Sequence, residues 1–260
     1  MDLKLSGKTV LVTGASRGIG FAIAQQLAAE GVDLKLTARD PDALASAAEQ
    51  LRAEYSVHVE IEACDLKDRG AAERLKNRFP NVDILVNNAG DIPAGYIEDV
   101  EEEAWRAGWD AKVFGYINLS RAYYRDFREK AAGTIVNILG IAGEMRDAGY
   151  IAGSTGNAAL IAFTKALGSA SPQHGVRVVG ISPGPVATDR LEKIQKRKAM
   201  ARTGDESQWK EAFAAFPFGR AASPDEIAAA VAFLASPLSA YTSGAILTID
   251  GGISAGRAIP

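Results

Sequence analysis

Short runs rich in Val, Ile, Leu and Thr recur along this 260-residue chain, separated by longer stretches with apolar residues at helical spacing. Such alternation is satisfied by helices layered over a mostly parallel sheet, because each strand must be covered on both faces and each helix has one apolar face to bury. The predicted strands are KTVLVT (8–13), VDLKLT (32–37), HVEIEA (58–63), DILVNN (83–88), TIVNIL (134–139), VRVVGI (176–181) and AILTID (245–250). Helices are predicted between them. One is 19–30, with Ile23 and Leu27 on one face; another is Pro224–Ala235, where Ser223 can cap and Pro224 takes the first helical position. The expected fold is an α/β doubly wound parallel sheet of about seven strands with helices on both faces. With 47% apolar residues, positions 1–260 are long enough to bury a full core as one domain. The charged stretch at about 190–217, interrupted by TGD, is predicted to be a partly helical, lid-like segment.

Composition narrows the partners. A net charge of −3 without long Lys or Arg runs gives no footprint for nucleic acid or an anionic membrane. The lone Cys64 excludes an internal disulfide, and with two His residues no metal cluster is expected. No apolar run approaches the ~18 to 20 residues that span a bilayer, and the start MDLKLSGKTVLVTG has no apolar signal segment, so a cytoplasmic location and a small-molecule partner are expected.

The stretch TGASRGIG (13–20) follows the first predicted strand and opens the first helix. Its glycines let the backbone approach a phosphate at a helix N-terminus, where free N–H groups and the helix dipole favour negative charge. A tight turn without a ligand would satisfy the same local pattern. Further segments follow in order: NNAG (87–90) closing the fourth strand, PGPVAT (183–188) after the sixth, and FGRAASPDEIAAAVAFLASPLSAYTSGAILTIDGG near the end. On these motifs the chain resembles the short-chain dehydrogenase/reductase family over about residues 5–252. The resemblance implies a Rossmann-type fold and a nicotinamide cofactor. It places Gly14, Ser16, Arg17, Gly18, Ile19 and Gly20 in the phosphate loop, Asp65 and Leu66 beside the adenine, and Asn88, Ala89 and Gly90 along the cleft. Pro183, Gly184, Val186 and Thr188 would hold the nicotinamide end. The second strand ends Thr37, Ala38, Arg39. An acid there would bind a ribose 2′-hydroxyl, whereas Arg attracts a 2′-phosphate, so Arg39, with Arg17, points to NADP(H). The alternative leaves Arg39 solvated and Asp40 as the cap of a helix starting at Pro41.

Family members that reduce carbonyls use an Asn, Ser, Tyr and Lys tetrad. In the register fixed by the flanking segments, those positions are Lys112, Gly140, Gly153 and Asn157. Without an acid/base group, proton transfer would lose roughly 10² to 10⁴ in rate. Lys112 is a candidate replacement, its long stem able to reach the space at Asn157, or else it turns to solvent or a charge partner. Tyr150, three residues before Gly153 on the same expected helical face, is a second candidate, or an aromatic packing at the cleft mouth. Glu144 and Asp147 could touch a polar substrate or stay solvated, and Ser154 and Thr155 could cap the helix or face the cleft. Gly153 and Gly156 could widen the cleft, or could loosen the helix start or let it pack closely against another backbone. The expected function is an NADP(H)-dependent oxidoreductase of small carbonyls or alcohols with a non-standard site; the alternatives are an inactive nucleotide-binding sensor or partner subunit, or a non-redox enzyme. The resemblance also implies a homotetramer or homodimer through the helices at about 102–130 and 150–169 and the C-terminal region at about 224–252.

Overall fold

The computed structural model describes residues 1–256. The first third of the chain alternates strand and helix: β1 (Thr9–Thr13), α1 (Gly18–Ala29), β2 (Asp33–Ala38), α2 (Pro41–Glu54), β3 (Val59–Ala63), α3 (Ala71–Arg78) and β4 (Ile84–Asn87). After β4 come α4 (Glu102–Trp109), α5 (Gly115–Glu129), β5 (Gly133–Ile138), α6 (Ala142–Met145), α7 (Ile151–Ala170) and β6 (Val176–Pro183). The described part ends with α8 (Asp189–Thr203), α9 (Pro224–Ala235) and β7 (Ile246–Ile249).

The seven strands form one parallel sheet in the order β3-β2-β1-β4-β5-β6-β7. Val10 of β1 pairs with Leu34 of β2 on one side and Ile84 of β4 on the other. The strands β1, β4, β5 and β6 are buried on both faces because both are covered, whereas β2 and β3 towards the edge carry Lys35, Glu60 and Glu62 among their apolar residues. One core packs Ile23 and Leu27 of α1 and Ile227 and Val231 of α9 against Val12 and Val179. The other packs Leu75 of α3 and Leu119, Tyr123 and Phe127 of α5 against Leu11, Leu85 and Ile135. Strand order reverses between β1 and β4, which opens a crevice beyond their carboxyl ends, and it is from those ends that TGASRGIG and NNAG emerge.

Each predicted strand is present. β6 runs on to Pro183, and α1 starts at Gly18 and ends at Ala29, one residue ahead of the expected span. Ser223 caps α9 in a reciprocal box with Glu226. The region expected as one helix at 102–130 is instead interrupted by a wide π-helical turn, Asp110–Phe114, between α4 and α5. Such a turn inserts a residue and re-aims the helix face, and here it carries Lys112. The charged 190–217 stretch holds most of α8, capped by Thr188, then 3₁₀ turns at Glu206–Ala215. The rings of Trp209 and Phe213 meet edge to face at 5.3 Å, and those of Phe213 and Phe216 stack at 5.4 Å.

Candidate active site

The loop between β1 and α1 is held by its neighbours across the crevice. Thr13 Oγ1 accepts from the Asn88 and Ala89 backbone N–H groups, each at 2.9 Å. The Asn88 amide in turn donates to the carbonyls of Thr13 (2.9 Å) and Gly14 (3.3 Å). A Cβ at Gly20 would lie 2.2 Å from the Gly14 carbonyl oxygen, so the loop closes this tightly only with glycine there. At the start of α1, Arg17 offers no side-chain cap, and Ser16 stays half-buried beside it while Ile19 leans on the core. The first N–H groups of α1 thus keep their capacity for an anion. Thr188 approaches from the opposite wall, its methyl 3.4 Å from where a Gly18 Cβ would stand, while its hydroxyl accepts from Leu191 N. Gly184 N donates to Ile249 O, and Val186 is buried behind it.

Arg39 and Arg17 are both exposed, and neither guanidinium has a hydrogen bond or ion pair among the described residues. Asp40 is spent as the α2 cap, accepting from Asp42 N and Ala43 N at 3.1 Å. Asp65 accepts from Lys67 N and pairs with its ammonium at 3.4 Å, and Leu66 is buried beneath, against Gly115 of α5. Uncapped N–H groups, close-approach glycines and two uncommitted guanidinium groups suit a dinucleotide carrying an extra phosphate.

Lys112, Gly140, Gly153 and Asn157 converge deeper in the crevice. The Lys112 ammonium donates to Asn157 Oδ1 at 2.9 Å and to Leu139 O at 3.2 Å. Its stem lies along Gly90, where a Cβ would meet Lys112 Cδ at 2.7 Å. Asn157 is buried and fixed from the other side, its amide donating to Gly153 O at 2.8 Å. At Gly140 the three atoms nearest to an added Cβ all belong to the Asn157 side chain, at 3.3 to 3.4 Å. No carboxylate pairs with Lys112 among the described residues. Although the residue is only partly buried as a whole, dense protein around the amine, and secondarily the like charge of Arg190, push its pKa down to about 7.

Tyr150 is not on the first turn of a helix, as its spacing suggested; its backbone (φ −137°, ψ 42°) precedes α7 as the cap residue. The ring folds over Gly153, where a Cβ would lie 2.0 Å from Tyr150 Cζ. The space at 153 is therefore filled and not widened. The same is true at Gly156, which receives Ile92, Val113 and Trp109, whose indole N–H donates to Ala152 O at 3.0 Å. Burial pushes the Tyr150 phenol up and Asp91 adds to this, while the charge and hydrogen bond of Arg190 oppose it.

Arg190 is the residue that sequence reasoning missed. From the first turn of α8 it reaches across the crevice and donates to Gly90 O (3.3 Å), Ile92 O (3.0 Å) and the Tyr150 hydroxyl (3.4 Å), and it pairs with Asp91 at 2.9 Å. Ser154 and Thr155 are not free for chemistry. Ser154 Oγ accepts from Asp147 N and donates to Asp147 O, and Thr155 Oγ1 donates back to Ile151 O. Glu144 and Asp147 are exposed, and Asp147 accepts from Gly149 N. Among the described residues no group of three or more His, Cys, Asp or Glu is placed to hold a metal, and no helix is long and apolar enough to cross a membrane.

A parallel sheet whose switch point carries an open phosphate loop defines a dinucleotide-binding α/β protein. The family model described as enoyl-(acyl carrier protein) reductase matches residues 14–254. The chain is 35% identical over 251 residues to galactitol 2-dehydrogenase (L-tagatose-forming) of Cereibacter sphaeroides, covering 96% of both proteins. It is 33% identical over 251 residues to 3-oxoacyl-(acyl-carrier-protein) reductase FabG of Escherichia coli (strain K12), covering 96% of this chain and 99% of that one. Among solved structures, L-sorbose reductase from Gluconobacter frateurii complexed with NADPH and L-sorbose aligns with a TM-score of 0.90 at 31% identity, over 99% of this chain and 100% of the other. The chain belongs to the short-chain dehydrogenase/reductase family of oxidoreductases.

Proposed function

We propose that this protein is an NADP(H)-dependent oxidoreductase of a small carbonyl or alcohol, with Lys112 as its acid/base group and Tyr150 lining the substrate side. The observation that carries the reading is the Lys112 amine, held at Asn157 Oδ1 and Leu139 O in the cleft. The open N-terminus of α1 would hold the cofactor's pyrophosphate, and Asp65 and Leu66 would flank its adenine. Pro183, Gly184, Val186 and Thr188 would wall the nicotinamide end. When bound, the cofactor supplies or accepts hydride. In reduction the Lys112 ammonium, with two N–H groups committed, gives its third proton to the carbonyl oxygen; in oxidation the neutral amine takes the hydroxyl proton on its lone pair. A pKa near 7 populates both forms at neutral pH.

The relative solved with NADPH, and the unpaired Arg39 and Arg17, support NADP(H) over NAD(H). NADPH is expected to bind at least about tenfold more tightly than NADH, and Arg39→Ala to cut the preference by ~1.5 to 3 kcal/mol, one charge-assisted hydrogen bond. Fluorescence titration of both nucleotides checks this, and equal dissociation constants in the wild type would sink it. Turnover is tested by following NADPH oxidation with sugar ketones and 3-oxoacyl thioesters, the substrate types that the relatives' names carry. Tight NADPH binding with no turnover on any of them would favour the sensor or partner-subunit reading, which the bare Gly140 and Gly153 positions support.

The described chain acts as one domain in this reading, with 190–217 as a lid latched by Arg190. Assembly is proposed as a homotetramer or homodimer through 102–130, 150–169 and 224–252. On the outer side of α4 an open groove of about 500 Å³ between Trp105, Trp109 and Phe114 leaves Phe114 half exposed, a surface suited to a second copy. Light scattering should give the mass of a dimer or tetramer; a monomer at every concentration would count against it.

A further inference from the structure

Positive charge gathers at the rim of the cleft. Arg190, in the first turn of α8, has its side chain 43% exposed, and its one ion-pair partner among the described residues, Asp91, is 66% exposed. The guanidinium places Nη1 on Asp91 Oδ1 (2.9 Å) and Gly90 O (3.3 Å), and Nη2 on Ile92 O (3.0 Å) and the Tyr150 hydroxyl (3.4 Å). Its Nε–H has no acceptor among the described residues. Tyr150 accepts from Arg190 and donates its own hydroxyl proton to no described group. A guanidinium N–H and a phenol O–H are thus uncommitted side by side, at a contact that faces solvent. Behind Arg190 the same face of α8 continues with Lys193 and Arg197, both exposed and neither in a hydrogen bond or ion pair among the described residues. In all, α8 holds six Lys and Arg against Asp189 and Glu192, in a chain whose net charge is −3. Such a local excess of positive charge beside a cleft raises the local concentration of anions.

We propose that the substrate is a short oxo or hydroxy acid, whose carboxylate binds Arg190 and the Tyr150 hydroxyl in place of Asp91. The placing of the substrate carbonyl rests on the oxidoreductase reading, whereas the carboxylate site stands on Arg190 and Tyr150 alone. Asp91 marks where an anionic oxygen sits on Nη1, and because both members of this ion pair are exposed, the pair adds little stability and is readily exchanged. A ligand carboxylate gains a second donor there, the Tyr150 O–H, with which Asp91 makes no hydrogen bond. Arg190 stays anchored to Gly90 O and Ile92 O while the carboxylates trade places. Gly90 sets the scale. The Lys112 stem packs 2.7 Å from where its Cβ would stand, and its carbonyl oxygen takes Arg190, so the carbonyl and carboxylate of the substrate lie only a few bonds apart.

The test compares 4-oxopentanoate with its methyl ester, which keeps the ketone and loses the charge. Binding to the full-length protein is read by calorimetry with NADP+, which cannot reduce a ketone, and NADPH oxidation gives kcat/KM for each compound. Wild type should bind the acid at least ~10-fold more tightly than the ester, the size of one hydrogen bond to a charged group, and the preference in turnover should lie in KM. Arg190→Gln, which keeps N–H donors without the charge, should abolish the preference. Asp91→Asn, which removes the competing carboxylate, should tighten the acid relative to the ester; a pair that served only to hold the lid would weaken both ligands alike. Equal affinities in wild type, an acid preference that survives Arg190→Gln, or no gain of acid over ester in Asp91→Asn would overturn the proposal. The asparagine variant decides alone if the glutamine variant does not fold. Selective acid binding without NADPH oxidation would leave the carboxylate site standing and sink the oxidoreductase reading, and turnover of acid and ester alike would do the reverse.

Discussion

Lys112→Met is expected to lower carbonyl turnover by ~10² to 10⁴, the usual contribution of one positioned acid/base group, while the fold survives because the thioether fills much of the stem's volume. The pH profile identifies the role more sharply than the rate does. If the ammonium is the acid in reduction, kcat/KM falls as pH rises through about 7; if the amine is the base in oxidation, kcat/KM rises through the same pH. Both inflections should vanish in Lys112→Met and persist, at a lower rate, in Tyr150→Phe. An inflection near 7 that survives in the methionine variant would assign it to another group. The same shift has a stability signature. The folded-state pKa is depressed below the unfolded value of about 10.4, so between about 7 and 10 the unfolded chain binds the extra proton and stability rises with pH. Below about 7 the folded protein carries the full cost of the unpaired charge. Thermal unfolding should therefore favour Lys112→Met over wild type more at pH 6 than at pH 9.5.

The fold was legible because its causes are local. Strands such as 134–139 carry apolar residues on both faces, and TGASRGIG places glycine where only glycine fits, as the 2.2 Å approach at Gly20 makes plain. The meeting of Lys112 with Asn157 could be framed from spacing alone, since the tetrad register names both positions, but its geometry depends on the π-helical turn at Asp110–Phe114. A single inserted residue in a helix leaves no mark in apolar periodicity over so short a span. Spacing along a helix does not account for Tyr150: its ring reaches Gly153 by folding back from a cap position, not by lying one turn earlier. Arg190 was invisible because all its partners, Gly90, Ile92, Asp91 and Tyr150, are far away in sequence, and three of its four contacts are to uncharged oxygens that no charge pattern announces. Its one signal was position: it directly follows the segment PGPVATD, at the start of the charged lid stretch.

Rebuilding the family's tetrad in this chain is expected to fail until Tyr150 is also removed. The four substitutions are Lys112→Asn, Gly140→Ser, Gly153→Tyr and Asn157→Lys. Gly140→Ser needs only a few tenths of an ångström from the side chain at 157, which is itself being replaced, and Lys112→Asn frees the space along Gly90. Gly153→Tyr meets a harder obstacle, because its Cβ would lie 2.0 Å from Cζ and 2.1 Å from Cε1 of Tyr150. Two rings cannot share that volume, and an aromatic forced out of a filled site takes its buried area into water, while overpacking typically costs ~1 to 3 kcal/mol. Adding Tyr150→Ala vacates the site and removes only one of the Arg190 contacts, leaving those to Gly90, Ile92 and Asp91 to hold the lid helix. With a reactive diketone, the five-substitution variant should oxidise NADPH at least ~10²-fold faster than the four-substitution variant, the low end of what a positioned proton donor supplies. Gly153→Tyr with Asn157→Lys alone should remain nearly inactive, because the ammonium at 157 would face the one at Lys112 with no carboxylate between them. Equal rates for the four- and five-substitution variants would show that the Tyr150 ring yields freely, and strong activity in the two-substitution variant would show that Lys112 never held the place of the missing lysine.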